Sequence, residues 1–348
     1  MRTAILDIGS NSAHLKVVDL EPGEPVRPIR SVKRPTRLAE AITRGGRIGP
    51  RASGRLSTAV AEALVAARDE GADELVAFGT AALRDASNRA EVVAGLAART
   101  GVEPSFLSGV DEARLTFLAA RGWYGWSAGP LLLADIGGGS LEIAAGDGTE
   151  PGFAVTLPLG AGRLTREHLP GDPPRRRDVK RLRGVVGEHL DDRLPDGPDG
   201  LWEGRPGEGP GAGRAVATSK IFAQLARSLR RRDAEGRRIL RRKDLRDQIP
   251  RLARMTAADR TGLKGVSATR ARQLLAGAIV AEAVMRRLEL RRLEVCPWAL
   301  REGIALRRLQ QIGGPAPSVD DDIGHLLRPM PGPRSRLHCV GGVGAGAS

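Results

Sequence analysis

The sequence predicts an α/β protein of two similarly built domains, and two observations support this. First, the hexapeptide DIGSNS at residues 7–12 returns as DIGGGS at residues 135–140, and each copy directly follows an apolar run. Such a run, closing on Asp and opening into small residues, is typical of a buried strand that ends at a tight turn. Second, 348 residues are more than one hydrophobic core usually holds. We therefore expect a domain at 1–125, a second at 126–312 and a tail at 313–348.

The first half of the sequence shows strand patterns, followed by alternating strand and helix patterns. Short apolar segments bounded by turn residues predict strands, and longer segments with helical spacing of apolar residues predict helices. Gly71 ends the first long helix, while Ser87 and Gly101 fit the start and the end of the next one. In order, we expect strands at 3–7, 14–19 and 27–34, a helix at 52–70, a strand at 75–79, a helix at 88–99, a strand at 102–107 and a helix at 110–121.

The second half repeats this pattern from Leu131 onward. Its last helical segment is rich in Ala, Leu and Ile on one face and predicts a core helix. Residues 195–213 and the tail are rich in Pro and Gly, so we expect both to be flexible. The expected strands lie at 131–135, 141–145 and 153–157, and the expected helices at 163–169, 178–193, 219–231 and 268–289.

The second glycine turn carries the clearest chemistry. After it the chain re-enters an apolar alternation, as in a β-hairpin with Glu142 early on the second strand. Because side chains alternate along a strand, Asp135 and Glu142 can face a common point, where carboxylates suit Mg²⁺. Three consecutive glycines uncover backbone amides for a phosphate, and two such turns could hold one phosphate chain from both sides. The alternative is a structural hairpin with a surface carboxylate.

Seven segments form a series in the order AILDIGSNS at 4–12, GTAALRDA at 79–86, SGVDEARL at 108–115, DIGGGSLE at 135–142, PLGAGRL at 158–164, VSATRARQ at 266–273 and CPWALREG at 296–303. In this series the chain resembles the exopolyphosphatase and guanosine pentaphosphate phosphohydrolase family, within the superfamily of actin and hexokinase. The resemblance covers residue 1 to about 312 and is closest to the short, actinobacterial-like form. It implies two ribonuclease-H-like domains with an active site in the cleft between them, and hydrolysis of the terminal phosphoryl group of linear inorganic polyphosphate.

The resemblance also implies roles for individual residues. Glu112 would activate the attacking water, and Arg84 would bind phosphate oxygens and offset their charge. Asp111 would then be an acid at the start of a helix, stabilising the helix dipole. For Arg84, the alternative is a salt bridge to Asp85 or Glu91.

Phosphate and metal ligands are expected at both turns and at the start of the helix after residue 218. The family commonly has a Gly-Thr-Gly-Gly-Thr segment before that helix, whereas this chain has VATSK at 216–220. The hydroxyls there could still bind an anion. The expected phosphate-binding residues are Gly9, Ser10, Asn11, Ser12, Gly137, Gly138, Gly139, Ser140, Thr218 and Ser219, and the expected Mg²⁺ ligands are Asp135, Glu142 and, through water, Asp7.

The charge pattern fits an anionic partner such as polyphosphate, although the dominance of Gly, Ala and Arg is also typical of the coding bias of a GC-rich genome. The formal charge is +14 and the pI is near 11.0, but only six of the 55 basic residues are Lys. Aromatic residues make up 3%, so platforms for nucleic acid bases are scarce and a nucleic acid partner is not expected. Arg clusters at 175–177, 230–232 and 237–238 could line a track for polyphosphate. The alternative for each is a solvated cationic surface.

The cysteine content and the lack of long apolar stretches indicate where in the cell the protein is located, and the motifs limit its possible functions. Cys296 and Cys339 are too few for a disulfide scaffold or a four-ligand zinc site. No apolar stretch reaches about 18 residues and no signal-peptide pattern is seen, so we expect a cytoplasmic protein without a membrane partner, compatible with a homodimer. The alternatives to an exopolyphosphatase are a guanosine pentaphosphate hydrolase and a non-catalytic sensor of guanosine tetra- or pentaphosphate. A sugar kinase would need an adenosine-binding Gly-Gly segment, which 216–220 lacks.

Overall fold

The computed structural model describes residues 1–43, 45–197, 201, 213–314 and 323–331. They form two α/β domains, each built around a six-stranded sheet, which confirms the expected fold class. Most of the Pro/Gly-rich insertion at 195–213 and most of the expected tail lie outside the described residues. Within the described part of the chain, no helix combines the length and apolarity needed to cross a lipid bilayer.

The first domain has three antiparallel strands followed by alternating helices and strands. Its elements are β1 (Arg2–Ile8), β2 (Ser12–Asp19), β3 (Arg27–Pro35), α1 (Leu38–Ala41), α2 (Pro50–Asp69), β4 (Glu74–Gly79), α3 (Ala81–Arg84), α4 (Arg89–Thr100), β5 (Ser105–Phe106) and α5 (Gly109–Tyr124). Pro50 opens α2, where its missing N–H leaves no hydrogen bond unmade. Ser108 caps α5 by accepting a hydrogen bond from the Asp111 N–H at 3.1 Å.

The second domain follows the same plan and adds helices on the outside of its sheet. Its elements are β6 (Leu131–Ile136), β7 (Leu141–Gly146), β8 (Phe153–Leu157), α6 (Ala161–His168), α7 (Arg176–Arg193), β9 (Arg214–Thr218), α8 (Ser219–Leu229), β10 (Ile239–Arg241), α9 (Arg242–Arg254), α10 (Ala257–Thr261), α11 (Ala268–Ala271), α12 (Leu274–Arg287), β11 (Arg292–Val295) and α13 (Leu300–Gly313). Its sheet has the order β10-β11-β9-β6-β7-β8. A last strand, β12 (Leu327–Pro329), joins the first sheet, whose order is β12-β4-β1-β2-β3 with β5 also paired to β4.

The two sheets bear out the internal duplication indicated by the repeated hexapeptide. In each domain the strand that ends in the repeat pairs antiparallel with the next strand and parallel with the strand after the long helix. The turns are closed alike: the Gly9 N–H donates to Ser12 O at 3.0 Å, and the Gly137 N–H donates to Ser140 O at 2.9 Å. The duplication therefore places one glycine turn at the corresponding end of each sheet.

Helices α5 and α13 connect the domains. Although α13 comes late in the sequence, Ile304 and Ala305 are buried in a core cluster with residues of the first sheet. A Cβ at Gly303 would overlap the Leu115 carbonyl, so glycine is what lets α13 pack this closely on α5. The first turns of both helices consequently lie at the cleft between the domains.

Three of the expected segments differ in the structure. The helix expected at 268–289 is divided into α11 and α12, and Gln273 between them reaches Asn11 of the other domain, with Nε2 and Oδ1 3.4 Å apart. The strand expected at 102–107 is reduced to β5. Within the expected tail, β12 pairs antiparallel with β4, and the preceding Ile323 and Leu326 are buried, so residues 323–331 are packed on the first domain.

Candidate active site

A cleft of about 540 Å³ lies between the domains and contains both glycine turns. The turns meet there because β1 and β6 end at the same side of the molecule. Of the residues expected in the site, the cleft is lined by Asp7, Gly9, Ser10, Asn11, Ser12, Glu112, Asp135, Gly137, Gly138, Gly139, Ser140, Glu142 and Ser219. The other two expected residues, Arg84 and Thr218, do not line the cleft. Each contacts a residue that does: Arg84 contacts Glu112, and Thr218 contacts Asp135.

The glycines of the second turn allow the two domains to approach each other. A Cβ at Gly138 would overlap the Ser10 side chain, and one at Gly139 would lie 2.5 Å from the Ala81 Cβ. Both neighbours belong to the first domain, so the missing side chains serve the contact between domains as well as access to backbone amides. Glu142 is buried at 5% exposure, which excludes the alternative of a structural hairpin with a surface carboxylate.

Glu112 lies in the first turns of α5 and points into the cleft. Its carboxylate is buried and accepts a hydrogen bond from Arg84 Nη1 at 2.6 Å. Burial raises the pKa of Glu112 to about 7; Arg84 opposes this rise, and the negative charges of Asp7 and Asp135 add to it. Asp111 instead hydrogen-bonds with the Ser108 hydroxyl at 2.6 Å, as expected for an acid at a helix start. Glu112 is therefore the one of this pair that can act as a base in the cleft.

Arg84 contacts the base rather than the open cleft. Besides Glu112, its Nη1 binds the Leu107 carbonyl at 3.0 Å, and its Nε binds Asp85 at 3.1 Å. The alternative of a salt bridge to Asp85 is thus present, whereas Glu91 pairs with Arg47. The structure assigns Arg84 to holding Glu112 in place, and direct contact with phosphate stays a prediction.

Asp135 and Glu142 face the same side of the β6–β7 hairpin. They are directly opposite in the register, as the alternation of side chains predicts. Asp135 Oδ2 accepts a hydrogen bond from Thr218 Oγ1 at 2.6 Å, and Glu142 Oε1 accepts one from Thr156 Oγ1 at 3.1 Å. These hydroxyls fix the two carboxylates at the mouth of the glycine turn.

Comparison with known proteins connects this geometry to a family. The model of the Ppx/GppA phosphatase family matches residues 16–312. The chain belongs to the Ppx/GppA phosphatase family. Exopolyphosphatase 1 of Mycobacterium tuberculosis is 48% identical over 314 residues, which are 89% of this chain and 88% of that protein.

A second mycobacterial relative and a solved structure agree with this assignment. Exopolyphosphatase 1 of Mycobacterium leprae is 46% identical over 314 residues, covering 89% of this chain and 90% of that protein. The crystal structure of an exopolyphosphatase from Cytophaga hutchinsonii has a TM-score of 0.75 at 22% identity, covering 90% of this chain and all of that chain. This last likeness supports the two-domain Ppx/GppA fold.

The carboxylates of this Ppx/GppA cleft fit a hard cation. Asp7 Oδ1 is buried and accepts no hydrogen bond from the described residues. Burial raises the pKa of Asp7, Asp135 and Glu142, and a bound cation would favour their ionised forms in addition to the nearby Arg301 and Arg270. No three acidic, His or Cys side chains of the described residues form a complete metal cluster. Mg²⁺ often needs only one or two carboxylates, with water and phosphate oxygens as its other ligands.

The end of β9 differs from the expectation at Thr218, its last residue. The Thr218 side chain is fully buried and its hydroxyl is committed to Asp135, so it supports the carboxylate and does not face phosphate. Ser219 lines the cleft and has a φ of 81°, in the region that favours glycine. The backbone here keeps a glycine-like conformation although the glycine common in the family is absent.

Sequence reasoning missed several basic residues of the cleft. Arg301 Nη1 binds Asp7 Oδ2 at 2.6 Å, so Asp7 is held by an ion pair on one oxygen. The cleft is also lined by His14, Lys33, Lys220 and Arg270. Burial and the surrounding cations lower the pKa of His14 to about 3. The available signal was position: Arg270 and Arg301 stood within segments that carry the family resemblance, and Lys220 stood within the segment at 216–220 that was compared with the family's phosphate-binding segment. Lys33 had no such signal.

The three Arg clusters differ in whether they line the cleft. Arg237 and Arg238 line the cleft, and Arg237 is paired with Asp233 at 2.7 Å. The clusters at 175–177 and 230–232 lie outside the lining of the cleft. For these two, the structure favours the alternative of a solvated surface.

Proposed function

We propose that the protein is an exopolyphosphatase that releases the terminal phosphoryl group of linear polyphosphate as orthophosphate. The observation that carries this proposal is Glu112, a buried carboxylate with a pKa of about 7 facing two glycine turns in a cleft. Such a pKa leaves a large fraction of the carboxylate ionised at neutral pH while keeping it basic. The mycobacterial relatives, both named Exopolyphosphatase 1, support the same substrate.

In this mechanism, Glu112 accepts a proton from the attacking water. Arg84 occupies Oε1, which leaves Oε2 for the water. The water oxygen bonds to the terminal phosphorus as the bond to the bridging oxygen breaks, and the shortened chain leaves with that oxygen. The turn amides that remain after the Gly9 and Gly137 N–H groups have closed the turns, those of residues 10–12 and 138–140, hold the phosphate oxygens against the line of attack.

We include Mg²⁺ in the proposal, held by Asp135 and Glu142, with Asp7 contributing through water. When bound, the ion would offset negative charge on the phosphoryl oxygens. Asp7 is fixed for this role by Arg301 on one oxygen, and its buried Oδ1 remains available.

A specific observation favours a second candidate, hydrolysis of a guanosine polyphosphate. Trp123 lines the cleft on the same face of α5 as Glu112 and Thr116. At about 1.5 Å per residue, Trp123 lies ~16 Å along the helix from Glu112, which is of the order of an extended nucleoside triphosphate. An indole there could stack on a base.

The test is phosphate release by the purified chain from linear polyphosphates of defined length and from guanosine pentaphosphate, with Mg²⁺ and with a chelator. We expect polyphosphate to be the better substrate and the chelator to abolish its turnover. Release from the nucleotide alone, lost in Trp123→Leu and kept in Trp126→Leu, would establish the second candidate. Tight nucleotide binding without any turnover would establish the sensor.

A further inference from the structure

Asp85 joins the two domains through its carboxylate. Its Oδ2 accepts a hydrogen bond from Nη2 of Arg163 at 2.5 Å, and Arg163 lies on α6 of the second domain. Its Oδ1 accepts a hydrogen bond from Nε of Arg84 at 3.1 Å, within the first domain. Each carboxylate oxygen therefore binds a different guanidinium group, and one of the two groups comes from across the domain boundary.

This series of contacts continues from Asp85 to Glu112. Arg84 binds Asp85 with its Nε, and with its Nη1 it donates to Glu112 Oε1 at 2.6 Å. A guanidinium group is planar and rigid, so a contact at Nε restricts the direction in which Nη1 can donate. The charges thus alternate in sign from Arg163 through Asp85 and Arg84 to Glu112, and each group helps to orient the next one.

The interdomain pair lies outside the cleft. Asp85 and Arg163 do not line it; they line a smaller cavity of about 300 Å³ that shares Ser10, Gly138 and Gly139 with the cleft. The side chains of Arg163 and Asp85 are 27% and 39% exposed. Ion pairs with this exposure contribute little to stability. The pair is therefore placed to act on the orientation of Arg84 rather than on substrate.

The second glycine turn positions Arg163. The Arg163 N–H donates to Gly138 O at 2.9 Å, so the first turn of α6 packs directly on the glycine turn. A Cβ at Gly139 would lie 2.5 Å from the Cβ of Ala81, which begins the short helix α3, and Asp85 directly follows the end of that helix. A movement that separates the glycine turn from α3 would consequently also separate Arg163 from Asp85.

We propose that Asp85 is a positioning residue, which together with Arg163 couples contact between the domains to the orientation of Glu112. The proposal rests on the proposed function, because that function makes Glu112 the base. With the domains in contact, Asp85 is fixed on both oxygens and directs Arg84 toward Glu112. When the second glycine turn moves away, Asp85 loses one of these two contacts, and Arg84 is no longer held in the direction of Glu112. Hydrolysis is then fast only while the cleft is closed.

Arg163→Met tests this coupling, because it removes the interdomain contact and leaves every residue of the cleft lining in place. We expect kcat on polyphosphate to fall about 10- to 100-fold with KM nearly unchanged, as for a misaligned catalytic group. Arg163→Lys should recover part of this loss. Arg166→Met is the matched control and should match the wild type, since Arg166 lies on the same helix and pairs with Glu167 of its own domain.

A double variant shows whether Arg163 acts through the base. In Glu112→Gln no base remains to be positioned, so adding Arg163→Met should lower the residual rate no further. A full further loss would overturn the proposal, because Arg163 would then act independently of Glu112. An unchanged kcat in Arg163→Met alone, with or without a raised KM, would overturn it as well.

NMR order parameters of the arginine Nε–H groups test the coupling without turnover. The Arg84 signal is assigned by its absence in Arg84→Met. We expect the order parameter of Arg84 to fall in Arg163→Met and to keep its wild-type value in Arg166→Met. If the wild type releases no phosphate from polyphosphate, the proposed function fails, while this fall in Arg163→Met alone still supports the coupling. Equal order parameters in the wild type and both variants overturn the coupling whatever the rate of hydrolysis.

Discussion

At the residue scale, burial and the contact with Arg84 together determine the protonation state of Glu112, the base of the proposed mechanism. The guanidinium lowers the pKa of Glu112, while burial raises it to about 7. Since the base acts in its ionised form, kcat/KM should rise with pH through about 7. Below that pH the carboxylate is protonated and cannot accept a proton from water.

Replacing Arg84 tests this coupling. Arg84→Met removes a charge that favours the ionised carboxylate, so we expect the rising limb of the pH profile to move upward by roughly one pH unit or more. Activity lost at neutral pH should then return in part at alkaline pH. The control is Arg47→Met, which removes an exposed ion pair with Glu91. A raised KM without a shifted limb would mean that Arg84 contacts phosphate instead.

Some of the site could be predicted because the relevant residues are close in sequence. The alternation of side chains around a glycine turn is enough to place Asp135 across from Glu142. The ion pair of Asp7 with Arg301 joins residues 294 positions apart, and no local pattern reveals it. The contact of Thr218 could not be predicted for a different reason. Whether its hydroxyl faces phosphate or Asp135 depends on the pairing of β9 with the neighbouring strand β6.

At the element scale, the crossing of α5 and α13 positions both Glu112 and Arg301. The closest approach is at Gly303, where any side chain would collide with the backbone at Leu115. Elements with clear periodicity, such as α2 and α5, were predictable. By contrast, α9 and α13 were missed because frequent arginines interrupt their apolar pattern, and β12 is too short to carry one.

The helix crossing gives a stability prediction. Gly303→Ala should lower the free energy of unfolding by about 1–3 kcal/mol, since the added methyl group must displace backbone. Gly95→Ala is the matched control, because a Cβ at this position in α4 meets nothing within 4 Å. That change should be neutral or stabilising by up to about 1 kcal/mol. Urea unfolding measures both, and equal stability of Gly303→Ala and the wild type would refute the close contact.

At the scale of the whole molecule, duplication brings two equivalent turns to one cleft. The two halves differ in the residue paired with the repeated Asp, which is His14 for Asp7 and Glu142 for Asp135. The repeat made the two-domain architecture predictable from sequence. The return of α13 and β12 to the first domain was not, because late segments gain their stability from contacts with distant residues in the fold.

The central claim is that Glu112 is the base of this phosphatase. Glu112→Gln keeps the shape of the side chain and removes its basicity, so phosphate release from polyphosphate should fall about 10²–10⁴-fold. Polyphosphate binding should hold or improve, because a negative charge beside a polyanion is lost. Asp111→Asn is the matched control and should retain near wild-type turnover. Full turnover in Glu112→Gln, with activity lost in Asp111→Asn, would contradict the account.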